Sequence, residues 1–453
     1  MAGKYEAPRQ RRRFPFFLLI LVFPAALFLA ALLLLRPDTP RNPSPETILE
    51  TESTIPGTVQ TVPSTEAVLP PETTVPAPEL TSTATLGAQG DLLMHIQLIQ
   101  SSKLEEGYDF SPIFRYIAPY VQSYDHMAIN LETTLGGSAY PYRGNPEFNC
   151  PDELADAIAQ AGYDMVLTAN NHSSDTHTSG ILRTLEQLRD RELDTLGTML
   201  SDEEKKYAVA DVNGIRLGLL CYTYATNELG EGQPSLNYRD FIKQKGIVNY
   251  FLESKLERFF AEVETHISDM KSDGAEAIVL YIHWGQEYAT KENALQQGMA
   301  QRLCDLGVDV IIGGHPHVVQ PVELLESTVD LDHRTVCIYS LGNAVSNQMK
   351  NEDKVFASGH SEDGALFSVT FEKYDDGTVK IGGVDVLPTW VNRNDNTGSR
   401  QYPILPLEKA QEDQWQERFG LTDEQLTAAR ESWERTMAIV SEGLEACNAF
   451  FQT

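Results

Sequence analysis

Two histidines separated by one residue follow an apolar segment in the second half of the chain. Segment 308–312 reads VDVII, and two glycines separate it from His315 and His317. The apolar residues predict a buried strand, and the glycines allow the backbone to turn sharply after it. Since imidazole is the commonest protein ligand for transition metals, the pair predicts a metal site at the end of a strand.

Polar side chains also follow other strands predicted along the chain. In chain order these residues are Asp91 and His95; Asn130 and Glu132; Asn170, Asn171, His172 and Asp175; His283 and Glu287; and Ser340 and Asn343. Ligands of open α/β sheets bind at the carboxyl ends of the strands. We therefore expect these side chains to meet at one edge of a sheet.

Each of these residues also has a purely structural explanation. Taken singly, Asp91 and Asn130 are better explained as turn residues, because Asx side chains cap turns after strands. His172 alone is as often a structural histidine as a functional one. His283 together with the 315/317 pair is different, because three imidazoles at two neighbouring strand ends favour a metal.

The predicted donor types indicate which metals and which chemistry to expect. Mixed Asp, Asn and His donors suit Mn, Fe or Zn better than Ca or Mg, which prefer oxygen ligands. Two cations about 4 Å apart can hold a bridging hydroxide and both oxygens of a phosphoryl displacement. A nearby histidine that binds no metal can protonate the leaving group. We therefore expect divalent metal ions at two positions.

The elements that position these residues follow an α/β pattern with added antiparallel hairpins. A strand is predicted at 84–90, before Asp91, and helices are predicted at 111–123 and 250–271. The turns Asn213-Gly214 and Asp375-Asp376-Gly377 indicate hairpins. The last segment, 421–450, is amphipathic and predicts an appended helix without chemistry of its own.

The N-terminus predicts a membrane anchor. Phe14 to Leu35 is a run of 22 uncharged residues, about 33 Å of helix, which is enough to cross a bilayer core. Four arginines precede this run, and the positive-inside rule then keeps the N-terminus cytoplasmic. The alternative is a cleaved signal peptide, but the apolar run is long and RPDTP after it is a poor cleavage site.

The residues after the predicted anchor carry no core-forming pattern. Residues 36–83 are rich in Pro, Thr, Ser and Glu, a composition that predicts a disordered linker.

Residues 84–453 carry a net charge of -29, which repels nucleic acid and leaves any anionic substrate to be held locally. The five scattered cysteines form no CxxC pair, which argues against a zinc ribbon or a disulfide scaffold.

Several short motifs together resemble the CapA family of poly-γ-glutamate capsule synthesis proteins. They are Gly90-Asp91, Asn130-Leu131-Glu132, Ala169-Asn170-Asn171-His172, His283-Trp284-Gly285, Gly314-His315-Pro316-His317 and Tyr339-Ser340-Leu341-Gly342-Asn343. The resemblance covers about residues 84–345, and the family's domain is expected to reach about residue 390. It implies a metallophosphoesterase-like (calcineurin-like) layered α/β sandwich.

The resemblance also implies roles for individual residues. The implied metal ligands are Asp91, Asn171, His283, His315 and His317, with Glu132 or Asn130 as the candidate for the bridging ligand. His172 is the implied proton donor, and we assign Asp175 to catalysis with it. Glu287, Asn343 and His95 are predicted to bind substrate. The usual Asp-x-His is absent, because His95 lies four positions after Asp91, and Asn-Leu-Glu replaces the usual Gly-Asp. The resemblance therefore supports one metal position more strongly than the second.

The resemblance implies a role in making, exporting or attaching an anionic cell-surface polymer such as poly-γ-glutamate. The expected protein is a metal-dependent hydrolase or transferase, anchored by one transmembrane helix with its main domain outside the cytoplasm. The alternative is a non-catalytic scaffold that binds polymer or synthase subunits. The expected segments are a basic cytoplasmic tail (1–13), the membrane helix (14–35), the disordered linker (36–83), the CapA-like metallophosphoesterase-fold domain (84–390) and a C-terminal helical extension (391–453).

Overall fold

The computed structural model describes residues 77–226, 234–237, 239–240, 246–395 and 400–452. The predicted basic tail, the predicted membrane helix and most of the predicted linker lie outside these ranges. Within them, no helix combines the length and the apolar character needed to cross a bilayer.

The described strands form two large sheets and one short hairpin. The strands are β1 (Leu80–Leu92), β2 (His126–Leu131), β3 (Met165–Leu167), β4 (Asp194–Leu196), β5 (Tyr207–Val212), β6 (Ile215–Tyr224), β7 (Ser235–Leu236), β8 (Arg239–Asp240), β9 (Tyr250–Phe251), β10 (Ala277–His283), β11 (Val310–Gly314), β12 (Val322–Glu326), β13 (Arg334–Ile338), β14 (Asn343–Val345), β15 (Asp363–Tyr374), β16 (Val379–Val391) and β17 (Ile404–Pro406). The first sheet has the order β17-β16-β15-β1-β2-β3-β4, with β14 beside β1. The second has the order β12-β13-β11-β10-β6-β5, with β9 beside β6.

Helices pack against both sheets. They are α1 (Ile96–Ser101), α2 (Ser111–Phe114), α3 (Ala118–Val121), α4 (Glu153–Ala161), α5 (His177–Arg189), α6 (Leu256–Ser272), α7 (Ala294–Asp305), α8 (Trp415–Phe419) and α9 (Asp423–Phe451). Side chains of α2 and α4 pack on the outer face of the first sheet, and those of α6 and α7 on the second. The inner faces pack against each other through residues such as Leu86 and Val279. The prediction of a layered α/β architecture is therefore confirmed.

Parallel strands bring the predicted site residues to one edge. Strands β14, β1, β2 and β3 pair with one another in parallel, and so do β6, β10, β11 and β13. The register sets Asp91 beside both Asn130 and Asn343, and His283 beside Gly314. Because paired parallel strands run in the same direction and end at the same edge of a sheet, the polar residues that follow these strands lie close together.

Three predicted element boundaries were wrong. β1 begins at Leu80, inside the predicted linker, because residues 80–89 pair with β15. The predicted helix 111–123 is two single turns, since Pro119 lacks the N–H that would bond to the carbonyl four residues earlier. The predicted helix 250–271 begins only at Leu256, because residues 250–251 form β9 beside β6.

The C-terminal helix is part of the core, contrary to the prediction of an appended element. α9 packs on β16, β15 and β12, and so joins the two sheets. Its buried residues Val440 and Leu444 belong to the cluster between the sheets. A Cβ at Gly443 would lie 1.8 Å from the carbonyl oxygen of Val322, so only glycine permits this close approach. The amphipathic pattern predicts the helix but does not specify the surface that it covers.

A buried ion pair fixes α9 to the start of β15. Arg435 donates from Nε and Nη2 to the two carboxylate oxygens of Asp363, each at 2.7 Å. The Asp363 side chain is only 1% exposed. Burial raises the pKa of Asp363 to about 6 although Arg435 opposes this shift.

We expect Arg435→Met to lower the free energy of unfolding by about 3 kcal/mol at pH 8, because a buried carboxylate would lose its partner. Loss of the guanidinium would raise the pKa of Asp363 further. As the pH falls to 5, Asp363 of the variant would therefore take up a proton. The difference in unfolding free energy between the variant and the unsubstituted protein should then shrink. Chemical denaturation at pH 8 and at pH 5 measures this difference.

Arg430→Met is the matched control on the same helix. Arg430 makes an ion pair with Glu412 in which its own side chain is 47% exposed, and such surface substitutions change stability by about 0.5 kcal/mol or less. Equal losses in the two variants would contradict a special role for the Asp363–Arg435 pair.

Candidate metal centre

Five buried titratable side chains meet where the two sheets bring their strand ends together. They are Asp91, Glu132, His283, His315 and His317, and none is more than 5% exposed. Their donor atoms form two groups, each with all members within 4.8 Å of one another. One group contains Glu132, His315 and His317, and the other contains Asp91, Glu132 and His283. Glu132 is therefore the shared centre of the cluster.

The backbone around the histidine pair is unusual. His315 has φ = 97° and His317 has φ = 57°, both in the left-handed region that non-glycine residues rarely adopt. A Cβ at Gly314 would lie 3.0 Å from Oδ1 of Asp91, so glycine lets this loop approach the carboxylate closely. Such strained positions persist where the surrounding structure fixes them, often at functional sites.

The Glu132 carboxylate is fully buried and lacks hydrogen-bond partners among the described residues. Neither of its oxygens accepts a hydrogen bond, and the nearest imidazole nitrogens are Nε2 of His283 at 3.6 Å and Nε2 of His317 at 3.7 Å. Nδ1 of His315 is likewise buried and unpartnered within the described ranges. Burying such a charge without compensation is costly. A carboxylate and imidazoles aimed at one space fit a divalent cation.

The protonation states of the cluster fit this interpretation. Burial lowers the pKa of His315 well below its ordinary value, and the neighbouring His283 and His317 add to the effect. Burial also opposes a charge on His317, but Glu132 and Asp91 outweigh it and raise the pKa of His317 to about 9. Without a cation, a proton on His317 therefore balances part of the negative charge, and a bound cation can replace that proton.

Three asparagines connect the carboxylates and imidazoles. Asn130 donates from Nδ2 to Oδ1 of Asp91 at 2.7 Å, and its own Oδ1 accepts from Nδ2 of Asn170 at 3.1 Å. Oδ1 of Asn171 lies 2.9 Å from Nε2 of His283. The structure thus brings the predicted ligands Asn130 and Asn171 to the cluster. The linking role of Asn170 was not predicted, although it stands in the same motif.

His172 and Asp175 form a hydrogen-bonded dyad beside the cluster. Nδ1 of His172 lies 2.7 Å from Oδ2 of Asp175, whose side chain is fully buried. Burial opposes protonation of His172, but Asp175 outweighs it and raises the pKa of the imidazole. The same Asp175 oxygen accepts from the backbone N–H of Phe148 at 2.5 Å. Nδ2 of Asn237 also lies 3.3 Å from Nδ1 of His172.

Phe148 and Asn237 are site residues that the sequence did not indicate. The Phe148 ring packs edge-to-face on His172 with centroids 4.6 Å apart. Neither residue follows a strand of the two large sheets, and no motif contains them. No pattern in the sequence could therefore have identified Phe148 or Asn237 as a site residue.

The residues predicted to bind substrate lie in three different environments. His95 packs edge-to-face on Phe148 with ring centroids 5.4 Å apart, and its Nδ1 accepts from the backbone N–H of Asn347 at 3.2 Å. Burial lowers the pKa of His95 to about 4. Asn343 is fully buried, with Oδ1 3.1 Å from Nδ1 of His317, so it belongs to the cluster. Glu287 is exposed.

Comparison with known proteins gives the family. The model of the bacterial capsule synthesis protein family, PGA_cap, matches residues 85–348. The chain is 28% identical over 295 residues to the capsule biosynthesis protein CapA of Bacillus anthracis, covering 62% of this chain and 64% of that protein. It is 28% identical over 301 residues to the PGA biosynthesis protein CapA of Bacillus subtilis (strain 168), covering 66% of this chain and 70% of that protein. The match spans less than two thirds of the B. anthracis protein.

A solved structure, that of TT1561 from Thermus thermophilus, aligns with 63% of this chain and 93% of its own. The two share 8% identity and superpose with a TM-score of 0.31, which is too low to support an argument about this chain. The sequence matches confirm the family resemblance that the motifs predicted. Because the family model matches more than half of its residues, the chain belongs to the bacterial capsule synthesis protein family PGA_cap.

Proposed function

We propose that this protein is a metal-dependent hydrolase or transferase of capsule-polymer biosynthesis. The observation that carries the proposal is the buried, unpartnered carboxylate of Glu132 among three imidazoles, with the His172–Asp175 dyad beside it. A scaffold that only bound polymer would not need a buried carboxylate without a hydrogen-bond donor, because such a group reduces stability. A metallophosphoesterase-type reaction needs both parts, a cation site and a proton donor.

The donor set suits Mn, Fe or Zn, because imidazole nitrogens and carboxylate oxygens are combined. A divalent cation held there would polarise the scissile bond and supply a hydroxide at neutral pH. His172 would protonate the leaving atom, since Asp175 holds its Nδ1 and raises its pKa. The Phe148 ring restricts the orientation of the imidazole by packing on it.

The relatives indicate the class of substrate. Two of them are named for capsule or PGA biosynthesis, so we propose an anionic cell-surface polymer of the poly-γ-glutamate type. The bond acted on would be a phosphoryl, amide or polymer-end bond. The net charge of -29 on residues 84–453 gives no general attraction for such a polymer. A bound cation would therefore provide the local positive charge, and synthase subunits are the expected protein partners.

The proposed setting is the outer surface of the cell membrane. Residues 14–35 would cross the bilayer, residues 1–13 would remain cytoplasmic, and the segment up to Leu80 would tether the folded domain outside. A tether of this composition is extended, so the domain could reach polymer at a distance from the bilayer.

The proposed site predicts that the protein binds a divalent metal. We expect the detergent-solubilised full chain to bind Mn²⁺ in isothermal titration, and His317→Ala to weaken this binding by about 100-fold. Because the pKa of His317 is raised to about 9, its proton must leave when the cation binds. The affinity should therefore rise by about tenfold per pH unit from pH 6 to pH 8.

His360→Gln is the control for this titration, because His360 is half-buried outside the cluster. Its affinity for Mn²⁺ should equal that of the unsubstituted chain. A folded protein that binds neither Mn²⁺ nor Zn²⁺ at pH 8 would overturn the proposed metal chemistry.

The second prediction separates an enzyme from a scaffold. His172→Asn should lower kcat by about 10²- to 10⁴-fold, as expected for loss of a general acid, without changing metal content. Turnover would be measured with bis(p-nitrophenyl) phosphate and with γ-glutamyl oligomers. His177→Asn is the control, because His177 is exposed and its φ of 64° suits asparagine. Equal rates for all three proteins, or no turnover of either substrate, would support the scaffold alternative.

The third prediction concerns the N-terminus. We expect the mature protein to retain residues 14–35 and to stay in the membrane fraction after alkaline carbonate washing, because an apolar helix of this length is a stable anchor. N-terminal sequencing and fractionation measure this directly. A mature protein that begins after residue 36 would establish the signal-peptide alternative instead.

A further inference from the structure

The segment that follows β10 lies over the loop of the histidine pair. The backbone N–H groups of Trp284 and Tyr288 donate to the carbonyl oxygens of Gly314 and Pro316 at 3.1 and 2.7 Å. Tyr288 has φ = 63°, in the left-handed region that a bulky side chain rarely adopts. The surrounding structure therefore holds Tyr288 in a strained conformation, as is often found at functional sites.

The Tyr288 ring stands at the rim of the cluster. Its centroid is 6.1 Å from that of His317, and it packs edge-to-face on Phe356 with centroids 5.3 Å apart. The residue is partly exposed to solvent. Tyr288 thus adjoins a buried imidazole of the proposed cation site, and a ligand that enters from solvent can reach it.

Two amide side chains set the polarity of the Tyr288 hydroxyl. Nδ2 of Asn343 donates to the carbonyl oxygens of His317 and Ser361 at 3.2 and 2.9 Å, which fixes the orientation of this amide. The same nitrogen donates to Oε1 of Gln348 at 3.0 Å. Nε2 of Gln348 is therefore the atom that donates to the Tyr288 oxygen, at 3.1 Å. That oxygen is an acceptor for Gln348, and its own proton remains to be donated to another group.

The carboxylate beside this hydroxyl belongs to Glu287. Burial raises the pKa of Tyr288, and the charge of Glu287 and a hydrogen bond to it add to the shift. Glu287 itself is exposed. Water can therefore solvate the Glu287 carboxylate when the hydroxyl turns to another acceptor.

The proposed reaction brings negative charge close to this hydroxyl. A phosphoryl group carries anionic oxygens, and hydrogen-bond donors held in position stabilise such oxygens during displacement. The folded domain gives the group no general attraction, because residues 84–453 carry a net charge of -29. A neutral hydroxyl that Gln348 holds in place is a local donor of the required kind.

We infer that the hydroxyl of Tyr288 donates a hydrogen bond to an anionic oxygen of a phosphoryl group in the substrate, and that Glu287 accepts this bond when no substrate is bound. The inference rests on the proposed function and deepens it, since it names the reacting group and a residue that binds it. It moves the substrate-binding role that the sequence predicts for Glu287 to the neighbouring tyrosine.

Inorganic phosphate is the probe that tests this contact. The detergent-solubilised full chain would be loaded with Mn²⁺, freed of excess metal and titrated with phosphate in a calorimeter at pH 8. Tyr288→Phe removes only the hydroxyl, and its affinity for phosphate should fall by about 10- to 100-fold, the usual effect of losing a hydrogen bond to a charged group. Glu287→Gln removes a competing and repelling charge, so its affinity should rise by about threefold.

Tyr374→Phe is the matched control. The Tyr374 hydroxyl also donates to a nearby glutamate, Glu372, at 2.7 Å. Tyr374 pairs with Leu80, at the end of β1 that is remote from Asp91. Loss of its hydroxyl should therefore leave the affinity for phosphate equal to that of the unsubstituted chain.

Metal content, measured on the same samples, separates this inference from the proposed function. Unchanged phosphate affinity in Tyr288→Phe at an equal Mn²⁺ content would overturn the inference and leave the metal chemistry standing, as would an Mn²⁺-loaded unsubstituted chain that binds no phosphate. A loss of affinity in Glu287→Gln like that in Tyr288→Phe would also overturn it, because the two residues would then only stabilise the loop. Circular dichroism establishes that each variant is folded. An unsubstituted chain that binds no cation would overturn the proposed function and this inference with it.

Discussion

The cluster depends on one constraint, the burial of the Glu132 carboxylate without a hydrogen-bond donor among the described residues. A charge in that position is costly unless a cation or a proton compensates it. Three imidazoles face the same space, and a shared proton on His317 supplies part of the compensation when no metal is bound. The neighbouring Asp91 needs no such help, because donors from Asn130, His315 and His317 already surround it.

The fold creates this constraint by bringing parallel strands from two sheets to a common edge. β1 and β2 of the first sheet place Asp91 and the Asn-Leu-Glu segment there, and β10 and β11 of the second place the imidazoles opposite. The left-handed backbone at His315 and His317 turns both rings inward. Strain of this kind costs free energy, which the packed sheets and the α9 helix between their edges offset.

Membership in the capsule synthesis family agrees with a site of this chemistry, although family and function are separate questions. Two features of the protein connect the family with the proposed function. The acidic folded domain has no general attraction for an anionic polymer, so recognition would depend on a local site such as the proposed cation site. The His172–Asp175 contact holds the imidazole in place, as the proposed role of His172 as proton donor requires.

The sequence by itself determined which residues stand at strand ends, their order along the chain, the α/β class and the family. Periodicity reveals the strands, the helices and the α/β class, because burial imposes a repeat on each element, whereas the short motifs indicate the family. Only the tertiary structure decided that Asp91 is satisfied while Glu132 is not, that Phe148 supports the dyad, and that α9 completes the core. These properties depend on residues far apart in the chain, such as Asp91 and His317, and a local pattern specifies that a face is buried but not which partner covers it.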